Sequence, residues 1–309
     1  MADRRPILLD CDPGVDDALA ILWLAAHPEL FDLRAVTVAA GNVGLELTVA
    51  NAQRVLDLAG LGDIPVHAGA FRPIGAPRGK ISMVHGKDGL GDIGLPPATR
   101  PPAAGHGAQA IIDTAHSAGG RLHLVATGPL TNIALALLLD PELPSLIDGL
   151  TLMGGAAFVP GNTTPAAEFN FHVDPQAARI VFENGIDITM AGLDVTRQAV
   201  ISPQVMAQLS GHDAPMRGLC GKLLKGYRDP CLHDSVVVAW LMAPQLFESV
   251  PAHVAITCVP GEIAGQSVAA TTERHLAGRS PNATILTRLD QRKFEAMFLS
   301  SMQALERRL

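Results

Sequence analysis

Short β-type runs alternate with helical patterns along most of the chain, and this alternation limits the possible folds more than any other feature. PILLDC (6–11) precedes VDDALAILWLAAH (15–27), LRAVTVAA (33–40) precedes ELTVANAQRVLDLAG (46–60), and LHLVAT (122–127) precedes TNIALALLLD (131–140). The rhythm continues through GLTLMGG, DPQAARIVFENG, IDITMAG and SPQVMAQLSG. Strands alternating with helices build βαβ units around a parallel sheet. The expected fold class is α/β, with a mainly parallel, Rossmann-like central sheet flanked by helices. The end of the chain reads as three strands, HVAITC, SVAATT and NATILTRL, followed by a helix over 290–309. No internal repeat or low-complexity tract interrupts the pattern, and residues 1–309 are long enough for one large α/β domain.

In open sheets of this kind ligands bind beyond the carboxyl ends of the strands. The first strand ends in DCDPGVDD, which places Asp10, Asp12, Asp16 and Asp17 within eight positions. Carboxylates so close repel one another and resist burial. Capping and the helix dipole account for Asp16 and Asp17, but not for Asp10 and Asp12. Two apart at a strand end, those two are expected to point the same way. A hard divalent cation bound by oxygen ligands explains all four.

Other strand ends carry Gly41 and Asn42, Thr127 in TGPLTN, and Met153 in MGG. His233 and Asp234 stand before an apolar helix; Asp234 suits either a metal site or an N-cap, and His233 suits proton donation near neutral pH. Two Pro- and Gly-rich stretches, 72–105 and 154–173, read as binding loops. The second offers Asn162, Glu168 and Asn170 to a polyhydroxyl ligand; the first carries His85, placed to cover a bound ligand.

Charge and composition exclude several classes. A net charge of −7 gives no basic footprint for nucleic acid or an anionic membrane. No apolar run approaches the roughly 20 residues of a membrane-spanning helix. MADRRP leads straight into ILLDCD, which leaves no room for a secretory signal and points to the cytoplasm. Cys11, Cys220, Cys231 and Cys258 lack C-x-x-C spacing, so buried free thiols are expected rather than disulfides or a zinc site.

DCDPGVDDA at 10–18, VAAGN at 38–42, HGKDGLG at 85–91, ATGPLTNIA at 126–134, LMGG at 152–155, GNTTPAAEFNFHVDPQAA at 161–178 and HD at 233–234 together resemble the inosine-uridine preferring nucleoside hydrolase family. The resemblance implies that family's fold and a calcium-dependent hydrolase that cleaves a ribonucleoside to ribose and free base. It implies that Asp12, Asp17, Asp234 and the Thr127 carbonyl bind Ca²⁺, that Asp12 is also general base to a water, and that Asp10 supports it. Asp16, Asn162, Glu168, Asn170 and Asp234 are then expected at the ribose hydroxyls, Asn42 near the water, Met153 near the sugar, and His85 and His233 on the base side, with His233 protonating the leaving group. Relatives also imply a homodimer or homotetramer.

The chain departs from the family pattern at Ser235, where Pro is usual, and lacks an acidic residue in GEIAGQSVAATTERHLAGRSPNA after its strand. Tyr227 and Arg228 have no clear counterparts, which leaves base preference open. Two other readings compete. A metal-dependent phosphohydrolase would need basic residues converging on phosphate, and a catalytically silent ribose- or nucleoside-binding relative would keep the fold without turnover.

Overall fold

A computed structural model describes residues 4–75, 83–210 and 215–309. Its strands are β1 (Arg5–Cys11), β2 (Phe31–Val38), β3 (Val66–Ala68), β4 (Leu122–Ala126), β5 (Ile147–Met153), β6 (Ile188–Ala191), β7 (Phe247–Ile256), β8 (Ser267–Ala270) and β9 (Ala283–Leu289). They form one nine-stranded sheet in the order β3-β2-β1-β4-β5-β6-β9-β7-β8. Pairing is parallel from β3 across to β9, while β7 runs antiparallel to both β9 and β8. The mainly parallel α/β sheet expected above is thus present, finished at one edge by two antiparallel pairings.

The strand order places the site. From β1 the chain winds outward to β2 and β3, then returns to lay β4 on the other side of β1. Crossovers on the two sides of this reversal lead away from each other and leave a crevice at the carboxyl ends of β1 and β4. DPGVDD follows β1 there, and TGPLTN follows β4.

Period-2 alternation divides β1 between two cores: Ile7, Leu9 and Cys11 join one apolar cluster, and Leu8 joins the other. On the first face the helix Val15–Ala25 packs against the terminal helix Gln291–Arg308. Trp23 sits edge-on to Phe294 and Phe298, with ring centroids 5.3 and 5.2 Å apart. This anchors the helix whose first turn carries Asp16 and Asp17.

Three local features differ from the sequence expectation. β7 begins at Phe247, six residues before HVAITC, because FESVPA is largely exposed and does not read as a buried strand. The 154–173 stretch contains a short helix, Phe169–Val173. A further helix, Pro215–Gly226, lies in a region that shows no such periodicity at first sight. The first stretch, 72–105, falls partly on residues 76–82, outside the described residues; its segment 83–92 is folded through side-chain hydrogen bonds of Asp88 and Asp92 to the backbone. In it Asp92 Oδ1 accepts the N–H groups of Lys87 and Asp88, and Asp88 Oδ1 accepts those of Leu90 and Asp92.

Candidate active site

The turn Pro13-Gly14 carries the chain from β1 into the helix Val15–Ala25 and sets Asp12 beneath the crevice. Asp12 is fully buried; its Oδ2 accepts the backbone N–H of Asn42 at 2.7 Å, and its Oδ1 has no partner. Glycines on two loops make room for this carboxylate. A Cβ at Gly41 would lie 1.9 Å from Asp12 Oδ2, and one at Gly128 would lie 2.6 Å from Oδ1.

Asp10 and Asp12 have separate surroundings. Asp10 is in register with Thr37 of β2, and its Oδ1 accepts from Thr37 Oγ1 at 2.6 Å and Asn132 Nδ2 at 2.8 Å. Burial pushes its carboxyl up to about 7 despite these bonds. Asn132 also accepts the N–H of Ala70 at 2.8 Å, so Asp10 is part of a buried brace joining β1, β2 and the helix Thr131–Leu139.

Asp16, Asp17 and Asp234 bring carboxylate oxygens within 4.8 Å of one another, all buried. Asp17 Oδ2 accepts from Gly14 N at 2.8 Å and Asn42 Nδ2 at 3.3 Å; its Oδ1 accepts from Thr127 Oγ1 at 2.7 Å. Asp16 Oδ2 accepts from Tyr227 at 3.0 Å, and its Oδ1 is buried without a partner. Asp234 precedes the helix Ser235–Met242 without accepting a capping hydrogen bond, so its carboxylate does not act as an N-cap. Burial first, and then the neighbouring carboxylates, raise Asp12 and Asp234 well above the usual range and Asp17 to about 7.

Such a set costs several kcal/mol to bury unpaired. Two unpartnered oxygens, an all-oxygen donor set and mutual repulsion fit a hard divalent cation. The tightest trio is Asp16, Asp17 and Asp234; Asp12 adjoins it through Asn42, whose amide donates to the Asp12 carbonyl and to Asp17. The Thr127 carbonyl accepts from Asn170 Nδ2 at 3.0 Å and keeps a second lone pair.

Above this floor, Asp16, Asn42, His85, Thr127, Met153, Asn162, Glu168, Asn170, His233 and Asp234 line one pocket. Glu168 caps the helix Phe169–Val173, accepting the N–H groups of Asn170, Gly155 and Phe171, and burial raises its carboxyl. Asn162 Oδ1 accepts from Phe169 N at 3.0 Å. Asn170 Nδ2 also donates to the Met153 carbonyl at 3.1 Å. These bonds shape the loop 154–173 into a rigid wall.

Two histidines face the pocket in different states. His85 Nδ1 accepts the N–H of Val15 at 3.1 Å, which requires an unprotonated nitrogen, and burial keeps this ring below its usual value. Burial also acts downward on His233, but Asp229, Asp16 and Glu168 outweigh it and raise the ring. His233 Nδ1 meets Thr196 Oγ1 at 2.8 Å, and Nε2 lies 3.4 Å from Asp229 Oδ1. Burial acts upward on Asp229, yet His233 holds it down to about 2.

Similarity to known proteins agrees with this geometry. The family model described as "Inosine-uridine preferring nucleoside hydrolase" matches residues 7–296. The chain belongs to this family. A protein named pyrimidine-specific ribonucleoside hydrolase RihA from Shewanella sp. (strain ANA-3) is 41% identical over 309 residues, covering 96% of each chain. Among solved structures, a purine-preferring ribonucleoside hydrolase from Gardnerella vaginalis superposes with a TM-score of 0.91 at 29% identity, over 98% of this chain and 100% of that one. A plant nucleoside hydrolase, the PpNRh1 enzyme, also gives 0.91, at 27% identity over 97% and 99%.

This nucleoside hydrolase is therefore an enzyme acting on N-glycosyl compounds, and the metal-dependent family has a matching acidic site here. Among the described residues no Lys or Arg lines the pocket, which removes the phosphate clamp a phosphohydrolase needs. No helix of the described residues is long and apolar enough to cross a membrane.

Sequence reasoning left the role of Tyr227 open and did not single out Asp229 or Thr196. Tyr227, the single tyrosine of the chain, donates to Asp16 and stacks on His85 at 5.1 Å between ring centroids. Asp229 pairs with His233, and Thr196 orients it. Only Tyr227 gave a signal, as a lone aromatic beside a charged turn; Thr196 comes from a helix distant in sequence.

Proposed function

We propose that this nucleoside hydrolase cleaves the N-glycosidic bond of ribonucleosides, pyrimidine ribonucleosides foremost, with Asp12 as general base and His233 as proton donor to the departing base. The observation that carries the reading is the buried, unpartnered Oδ1 of Asp12, a residue hydrogen-bonded to Asn42, which lines the same pocket as His233. Hydrolysis through an oxocarbenium-like transition state needs a base for water on one ring face and proton donation on the other.

The donors fit Ca²⁺, which Asp12, Asp17, Asp234 and the Thr127 carbonyl would hold and which, when bound, acidifies a water and offsets the clustered negative charge. Asn42 fixes Asp12 Oδ2, so that Oδ1 is the oxygen free to take a proton. Asp16, Asn162, Glu168, Asn170 and Asp234 orient the ribose hydroxyls, with Met153 against the sugar and Asp10 bracing the floor. Orientation of this kind supplies several kcal/mol toward the barrier. His85 and Tyr227 are then on the base side, where Asp229 favours the protonated ring of His233.

The pyrimidine preference draws on the relatives at 41% identity named as pyrimidine-specific. A single domain over residues 1–309, a homodimer or homotetramer and a cytoplasmic location belong to the same proposal. Ribose release from uridine, cytidine, inosine, adenosine and guanosine tests it. Uridine and cytidine are expected to give the highest kcat/KM; a ranking led by inosine overturns the preference, and ribose-induced stabilisation without any turnover favours a silent binding protein.

A further inference from the structure

Asp229, Cys231 and His233 occupy alternate positions of DPCLHD, in the turn before the helix Ser235–Met242. A carboxylate oxygen, a thiol sulfur and a ring nitrogen lie within 4.8 Å of one another there. This mixed donor set differs from the all-oxygen floor beside it. Sulfur and imidazole select borderline and soft cations, whereas carboxylates alone select hard ones. The lack of C-x-x-C spacing pointed away from zinc, but an Asp-x-Cys-x-His turn gathers equivalent donors.

His233 supplies an independent observation. It is 7% exposed, and its Nε2 is buried with no hydrogen-bond partner. That nitrogen faces the trio, 3.4 Å from Asp229 Oδ1 at an ion-pair distance without hydrogen-bond alignment. The other nitrogen is engaged by Thr196 Oγ1 at 2.8 Å. A metal-ligating histidine is ordinarily oriented in this way, by a hydrogen bond at the nitrogen away from the metal.

We propose that Asp229, Cys231 and His233 form a binding site for Zn²⁺, separate from the acidic floor, and that its occupancy inhibits hydrolysis by taking the Nε2 of His233. Asp229 and His233 both line the pocket, so a fourth coordination position opens toward the substrate cavity. The Asp229 side chain is 35% exposed and gives the ion a way in. Zinc–ligand bonds of about 2.0–2.3 Å require only a modest contraction of the turn. On binding, Cys231 gives its thiol proton to solvent and leaves the Arg197 carbonyl, 3.7 Å away in the free protein, while His233 ligates as the neutral ring. Binding stands on the trio alone; inhibition rests on the reading of His233 as proton donor.

Co²⁺ serves as the spectroscopic probe, added to the full-length protein in excess Ca²⁺, with Zn²⁺ titrated in parallel against uridine hydrolysis. Wild type is expected to develop a thiolate-to-cobalt charge-transfer band that Cys231→Ser and Cys231→Ala both lack. The two variants are expected to keep basal activity and to need at least about tenfold more Zn²⁺ for half-inhibition. No band in wild type, or an unchanged band in both variants, overturns the site. Equal Zn²⁺ sensitivity in all three proteins places the inhibiting ion on the acidic floor and overturns the inhibitory role. A band confined to wild type with no loss of activity upholds the site and removes His233 as proton donor.

Discussion

Asp12 Oδ2 accepts the backbone N–H of Asn42 at 2.7 Å, and the same carboxylate buries its Oδ1 with no partner. One oxygen is thereby a fixed anchor and the other an available base. Replacing Asp12 by Asn keeps the shape and removes the base. Asp12→Asn is expected to lower kcat by about 10²–10⁴-fold while the circular dichroism spectrum stays native. Turnover within a few fold of wild type would rule out Asp12 in this role.

Gly41 tests the placement of that carboxylate rather than its chemistry. An added Cβ would stand 1.9 Å from Asp12 Oδ2, so Asp12 must move. Small displacements of catalytic groups cost about 10²-fold. Gly41→Ala is expected to reduce kcat by this order while the circular dichroism spectrum stays native, and an unchanged kcat would show that the position of Asp12 is not critical.

His233 is expected to matter in proportion to how poor the leaving group is. His233→Gln should cost about 10²–10⁴-fold on uridine but only a few fold on p-nitrophenyl riboside, whose leaving group departs without protonation. Equal losses on both substrates would assign His233 to binding or folding instead.

A distant histidine sets part of the acid stability. His123 in β4 bonds Thr151 Oγ1 at 2.9 Å, and burial lowers its ring to about 4. The folded value lies below the unfolded value of about 6.5, so the fold favours the neutral ring. Its contribution is complete above pH about 6.5 and is lost as pH falls toward about 4, by about 1–3 kcal/mol. His123→Gln should flatten the fall of Tm across that range. A parallel fall in wild type and variant would assign acid sensitivity to other groups.

Much of the candidate site was legible because the pocket and its floor draw on residues at or just beyond strand ends. DPGVDD, Gly41-Asn42 and Thr127 follow strand ends and Met153 is the last residue of β5, and the reversal of strand order at β1 brings the first and third together. What stayed hidden depends on packing between distant segments. The Pro215–Gly226 helix carries apolar Met216, Leu219, Cys220 and Leu223 at helical spacing, yet Gly218, Gly221 and Gly226 weaken its propensity. Gly221 is explained by the fold: a Cβ there would stand 2.6 Å from the Leu209 carbonyl of the neighbouring helix. That helix delivers Tyr227 to Asp16, a contact spanning 211 positions that no local pattern announces. The separate surroundings of Asp10 and Asp12 were equally out of reach, because they follow from Thr37 and Asn132 on other elements.

The central claim is that a carboxylate-bound divalent cation and this pocket together hydrolyse ribonucleosides. Ribose release from uridine, measured as reducing sugar before and after exhaustive chelation and again after adding Ca²⁺, tests it most directly. The account predicts release that disappears on chelation and returns with Ca²⁺. Full activity after chelation would contradict the metal site, and no release under any of these conditions would contradict the proposed reaction for this substrate.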